Sequence, residues 1–187
     1  MKSYKEIDGW FDYEDLYEKF SNILKDNDKF VEVGVWKGRS ICFLGQLLVI
    51  KDKKPEVFAV DTFKGSQNEG VHLNEVDRLG GSTLPVFKKH LNELGLEGII
   101  SPIEKESVEA SHLFEDNSLA GVFIDANHSY EGVSQDIKSW YPKVVENGWM
   151  TGHDWDSEEV SKAVNDYFDP LRKLVIHYPP SCWVVAK

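Results

Sequence analysis

Several things are scarce in this chain, and each scarcity closes off a class of protein. There are two cysteines in 187 residues, Cys42 and Cys182, with no second Cys or His at ligand spacing from either. That excludes a disulfide framework and a cysteine-built metal centre, and it predicts two buried thiols in a reducing, cytoplasmic setting. Basic residues are few: 21 Lys and Arg stand against 32 Asp and Glu, for a formal net charge of -11. A chain so acidic lacks the basic patch that a nucleic-acid backbone or an anionic membrane surface requires. No apolar run reaches the length of a membrane span, since Leu44 to Ile50 is already broken by Gln46. The first residues carry charge without a following apolar stretch, so they do not read as a signal peptide. Two nucleotide fingerprints are missing as well: neither G-x-G-x-x-G nor a Gly-Lys-Ser/Thr phosphate loop occurs.

What is present is a soluble composition, 41% hydrophobic and 12% aromatic, arranged as alternating strand and helix patterns. A first helix over 13–27 places Leu16, Phe20, Ile23 and Leu24 on one face. Strands are expected at 30–35, 57–60, 99–103, 119–124, 149–151, 173–177 and 182–186. Helices are expected at 39–49, 82–94 (capped by Ser82 and stopped by Gly95), 107–114, 131–145 and 157–171. Residues 62–81, rich in Gly and Ser, read as a long loop and a lid. The last two strands are joined by Tyr178-Pro179-Pro180-Ser181, too short for a crossover, so they must be antiparallel. The pattern predicts one domain over 1–187, with residues 1–28 as a helical extension. Its fold class is α/β, a doubly wound Rossmann-like seven-stranded sheet, mostly parallel with an antiparallel C-terminal strand. Exposed aromatics in the extension, Trp10 and Phe11, would suit a homodimer.

Ligands of such sheets bind beyond the carboxyl ends of the strands, and the polar irregularities fall there. Gly34 and Gly38 flank the turn Val35-Trp36-Lys37 after the first strand, where a tight bend and a close backbone approach are needed. Asp61 ends the second strand about twenty residues on, where an acid can hold a ribose diol. Two further strands stop on acid and imidazole. One is Phe123-Ile124-Asp125-Ala126-Asn127-His128 and the other is Met150-Thr151-Gly152-His153-Asp154. Side by side, these ends bring Asp125, His128, His153 and Asp154 into one pocket. Hard carboxylates suit magnesium, and imidazole suits a general base or a softer ion. Trp36, Phe63, Tyr130 and Trp155 could line it, and His72 could belong to the lid.

Glu32-x-Gly34-x-x-x-Gly38-x-Ser40, Asp61-Thr62-Phe63-Lys64-Gly65-Ser66, Ile124-Asp125-Ala126-Asn127-His128-Ser129-Tyr130-Glu131 and Gly152-His153-Asp154 occur in that order. Together they resemble the class I S-adenosylmethionine-dependent methyltransferases, and more narrowly the small bacterial O-methyltransferases of macrolide sugars and related natural products. The resemblance implies S-adenosylmethionine as cofactor, with Glu32, Gly34, Gly38 and Ser40 around its methionine part and Asp61 on the ribose. Ser107 corresponds to a position beside the adenine; as a residue it reads equally well as a helix N-cap. The resemblance also implies a divalent metal, Mg or Mn, held by Asp125, His153 and Asp154, with His128 as base. At His153 the chain departs from that pattern, because the family carries a carboxylate there. An imidazole would favour a softer ion, or would stay off the metal and act as the base. The expected reaction is O-methylation of a small polyhydroxylated or sugar-like acceptor. A metal-dependent hydrolase and a non-catalytic S-adenosylmethionine-binding protein are the competing readings.

Overall fold

The structure is a computed structural model that describes residues 2–66 and 70–187. Fourteen elements of regular structure alternate along it, besides two short 3-10 turns. They run α1 (Glu14–Ile23), β1 (Lys29–Val33), α2 (Arg39–Ile50), β2 (Glu56–Asp61), α3 (Gly70–Arg78), α4 (Leu84–Leu94) and β3 (Ile100–Glu104). Then follow α5 (Ser107–Ser111), β4 (Leu119–Ile124), α6 (Tyr130–Trp140), β5 (Val144–Gly152), α7 (Glu158–Phe168), β6 (Val175–Tyr178) and β7 (Cys182–Ala186).

The seven strands form one sheet in the order β3-β2-β1-β4-β5-β7-β6. All neighbours are parallel except β7, which runs antiparallel to both β5 and β6. This is the doubly wound, mostly parallel sheet expected. Strand direction through the sequence reverses between β1 and β4, so the topological switch point lies there.

Alternation along each strand sorts the side chains between two apolar layers. Phe30, Val57, Ala59, Ile100 and Phe123 face a layer built with α1, α2 and α4. Val31, Val33, Val60, Val122 and Ile124 face the layer of α6 and α7, in which Trp140 and Phe168 are fully buried. The same alternation sends Glu32 and Asp125, one residue past Val31 and Ile124, toward the α1 side. Helix α1 lies on the sheet through aromatic rings: Phe20 stacks on Trp149 at 4.1 Å and 11°, and Tyr13 on Phe123 at 4.9 Å and 28°. No helix among the described residues is long and apolar enough to cross a membrane. Both thiols are free and buried, and burial pushes each of them up.

Several local expectations need correction, among them the first helix, which ends at Ile23 with that side chain exposed, and α4, whose N-cap is Thr83 and not Ser82. Residues 62–81 are not one irregular loop, because α3 occupies 70–78; residues 67–69 of that span lie outside those described. Strand β5 begins at Val144, five residues earlier than the apolar run suggests. Its register against β4 shifts between Leu119 and Gly121, which accommodates the polar Glu146-Asn147-Gly148 stretch. Phe11 is not exposed: it packs edge-on against Tyr13 and Tyr17, while Trp10 is open to solvent as expected.

Candidate active site

The glycine turn follows β1. Gly34 and Gly38 both have left-handed backbones, with φ of +86° and +91°. A Cβ on Gly34 would lie 1.9 Å from the carbonyl oxygen of Asp125, so the end of β1 and the end of β4 touch backbone to backbone. At Gly38 the close approach is made by a side chain: the Phe87 ring fills the place of a Cβ, at 2.5 Å.

Asp61 organises this turn. Its Oδ2 accepts the N–H groups of Val35 (2.9 Å) and Trp36 (2.8 Å), and its Oδ1 accepts that of Phe63 (2.7 Å). Burial raises its pKa, opposed by those three backbone donors. An acid at this position therefore shapes the glycine turn.

Glu32 is fully enclosed beneath the turn, where it accepts the hydroxyls of Ser40 and of Tyr17, the latter at 2.8 Å. Burial pushes its carboxyl up to about 8 against those two bonds, so it is largely neutral at pH 7. Ser107 is the first residue of α5 and does not cap it. Its hydroxyl donates to Asp136 (2.5 Å) and accepts the Trp140 indole N–H (2.9 Å). Burial lifts Asp136 to about 6.

On the other side of the switch point the sheet does bring Asp125, His128, His153 and Asp154 together. His128 Nε2 lies 3.5 Å from Asp125 Oδ1 and 3.2 Å from Asp154 Oδ2. Among the described residues, Asp125, His128 and Asp154 are the group whose ligand atoms all fall within 4.8 Å of one another. One imidazole and two carboxylates converging on a point fit a divalent cation such as manganese, and less ideally magnesium. His153 stands outside this group. Its Nδ1 is 3.2 Å from Asp154 Oδ2 and its Nε2 is 3.1 Å from Asp12 Oδ1. Burial would lower its pKa, but Asp154, Asp125 and Asp12 outweigh that and raise it to about 9. Both ring nitrogens thus face carboxylates.

Sequence reading did not single out Asp12, Tyr13 and Tyr17. Tyr13 donates its hydroxyl to Asp125 Oδ2 at 3.0 Å, across 112 residues of chain, and its ring lies 4.9 Å from that of His153. One signal was available: Tyr13 and Tyr17 are four apart, in step with the apolar Leu16 and Phe20. A tyrosine on a buried helical face needs a partner for its hydroxyl. A groove of about 440 Å³, lined by Asp12, Tyr13, Glu14, Asp15, Pro179 and Pro180, opens beside this cluster.

Residues 31–155 match the family described as a methyltransferase domain. The chain belongs to that family. Its fold is shared with solved methyltransferase structures. The O-methyltransferase NovP superposes with a TM-score of 0.75 at 16% identity, covering 93% of this chain and 78% of NovP. A putative methyltransferase from Streptococcus mutans, in complex with SAH, superposes at 0.66 and 13% identity, covering 96% of this chain and 99% of that one. A TDP-rhamnose 3'-O-methyltransferase of calicheamicin biosynthesis superposes at 0.60 and 14% identity, covering 92% and 76%. In sequence, the uncharacterized protein y4gI of Sinorhizobium fredii (strain NBRC 101917 / NGR234) is 26% identical over 146 residues. That is 78% of the methyltransferase and 15% of y4gI, so the chain spans only a small part of that relative.

Proposed function

We propose that this methyltransferase moves the methyl group of S-adenosylmethionine to a hydroxyl of a small, polyhydroxylated or sugar-like acceptor. One observation carries the reading: the glycine turn and the Asp/His cluster meet at the switch point, with the Gly34 Cβ position 1.9 Å from the Asp125 carbonyl. A donor site and a site for activating a hydroxyl are thus in contact, which in-line transfer requires. The sugar O-methyltransferase among the structural neighbours and the acidic surface support the acceptor class.

In the reaction the acceptor oxygen bonds to the methyl carbon as the carbon–sulfur bond breaks, leaving S-adenosylhomocysteine as a neutral thioether. The hydroxyl proton must leave as that bond forms. Glu32, Gly34, Gly38, Ser40 and Asp61 build the donor side, Asp61 through the turn it shapes and through the ribose. Ser107, its hydroxyl already engaged by Asp136 and Trp140, borders the adenine end. Asp125, His128 and Asp154 hold the acceptor oxygen. A divalent cation bound by these three would lower the hydroxyl pKa and orient it. Without one, His128 Nε2 takes the proton and the two carboxylates stabilise the imidazolium that results. His153, fixed between Asp12 and Asp154, keeps Asp154 in place.

Calorimetric titration with S-adenosylhomocysteine tests the donor side, and no binding at millimolar ligand would sink it. Asp61→Ala should weaken that binding, whereas Asp154→Ala should spare it and abolish turnover. Loss of activity in EDTA assigns His128 to the cation. Activity that survives EDTA and disappears in His128→Gln assigns it to the proton. A metal-dependent hydrolase would instead bind zinc tightly without binding the cofactor.

A further inference from the structure

We propose that Tyr13, from the N-terminal segment, is a positioning residue that fixes Asp125 for cation binding. The inference rests on the proposed acceptor site. The Tyr13 ring is held on three sides: stacked on Phe123 at 4.9 Å, edge-on to Phe11 at 4.8 Å, and 4.9 Å from the His153 ring. With the ring fixed, the hydroxyl has one direction, and it donates to Asp125 Oδ2. That leaves Asp125 Oδ1 turned toward His128 Nε2, the atom with which it would share a cation.

Packing accounts for the ring, and helix capping does not account for the hydroxyl. Tyr13 is the N-cap of α1 and makes no side-chain capping bond. Ser, Thr, Asp or Asn at this position would stabilise the helix by capping it. Asp12, one residue earlier, does not cap the helix either; its carboxylate reaches His153 Nε2. Two consecutive side chains forgo the helix end and serve the cluster, a departure from local rules of the kind found at functional sites. Groups that hydrogen-bond a metal-binding carboxylate orient it and tune its affinity, and their loss typically costs about 10- to 100-fold.

Helix α1 supplies its own control. Tyr17, one turn on and equally buried, makes the corresponding bond to Glu32 on the donor side. Tyr13→Phe and Tyr17→Phe each remove one oxygen from the same helix face. Manganese uptake by the metal-free protein can be followed by electron paramagnetic resonance, with thermal melting and S-adenosylhomocysteine titration in parallel. Tyr13→Phe is expected to remain folded, to bind S-adenosylhomocysteine like the native protein, and to bind manganese at least about tenfold more weakly. Tyr17→Phe is expected to keep native manganese affinity. Unchanged manganese affinity in a folded Tyr13→Phe overturns the proposal, as does an equal loss in both variants, which would mean that α1 had simply shifted. Native protein that binds S-adenosylhomocysteine but no manganese overturns it while the donor reading stands. Failure to bind S-adenosylhomocysteine counts against the methyltransferase reading alone, because the manganese comparison still decides Tyr13.

Discussion

Lys37, in the glycine turn, places its ammonium 2.5 Å from Oε1 of Glu75 on α3. The same Nζ is 2.8 Å from Asp8, and the lysine side chain is 5% exposed. Burial would lower its pKa, but the bonds to Asp8 and Glu75 outweigh it and raise it. Beside this tie, Trp36 stacks on His72 of α3 at 4.4 Å. Helix α3, in the segment read as a lid, is therefore fastened to the glycine turn by an ion cluster and a ring stack.

Lys37→Met should loosen that fastening without touching the sheet. Deuterium exchange is expected to speed up over residues 70–78 and in the glycine turn, and to stay native in α4. Affinity for S-adenosylhomocysteine should fall in the same variant. Native exchange in α3 would show that the ring stack alone holds it.

Gly34 offers a sharper contrast. Gly34→Ala combines a left-handed backbone with a Cβ 1.9 Å from the Asp125 carbonyl, and neither β1 nor β4 can move without breaking the ladder. The expected cost is about 4 kcal/mol, summing strain and overpacking. Gly95→Ala has a similar φ, +69°, but nothing within 4 Å of the added atom, so about 1 kcal/mol is expected. Urea denaturation of the two variants measures the difference. Equal midpoints would mean that β1 and β4 are not in contact as described.

Much of this fold was legible because burial on both faces leaves a plain signal. Strands β4 and β7 have the bounds that their apolar runs suggested, and Gly95 ends α4 with a left-handed backbone. Helix α3 was missed because Gly70, Asn74 and a single buried residue, Val76, give it little apolar periodicity. The beginning of β5 was missed because solvent-facing Glu146 and Asn147 interrupt its pattern. At the site, strand ends are local features, so Asp125, His128, His153 and Asp154 could be gathered from sequence. The contacts of Asp12 with His153 and Tyr13 with Asp125 span 141 and 112 residues, and only the way α1 lies on the sheet creates them. That distant pair also sets His153 Nε2 against a carboxylate outside the convergence of Asp125, His128 and Asp154.

His153→Gln tests whether His153 is a ligand of that site. With both ring nitrogens on carboxylates, His153 contributes no donor atom to the convergence of Asp125, His128 and Asp154. Manganese affinity should fall by about 10- to 100-fold, as for any residue that holds a metal-binding carboxylate, and by less than in a variant that deletes a ligand. His128→Gln, measured alongside, should show the larger loss. A reversal of the two results would return His153 to the metal.

The last expectation concerns pH. Glu32 and Asp136 are buried acids with raised pKa values, about 8 and about 6, against ordinary values of 4.5 and 3.8. A group whose folded pKa exceeds its unfolded one binds protons more tightly in the folded state. Its contribution is therefore complete below the unfolded pKa and is lost as pH rises through the folded one. Stability should accordingly fall between about pH 4 and pH 8, first through Asp136 and then through Glu32. Asp136→Asn keeps an acceptor for Ser107 and removes the ionisation, so its advantage over the native protein should be absent at pH 4 and reach up to about 3 kcal/mol at pH 8. Chemical denaturation at those two pH values reads the effect. The same gain at both would place its origin in packing, not in the proton.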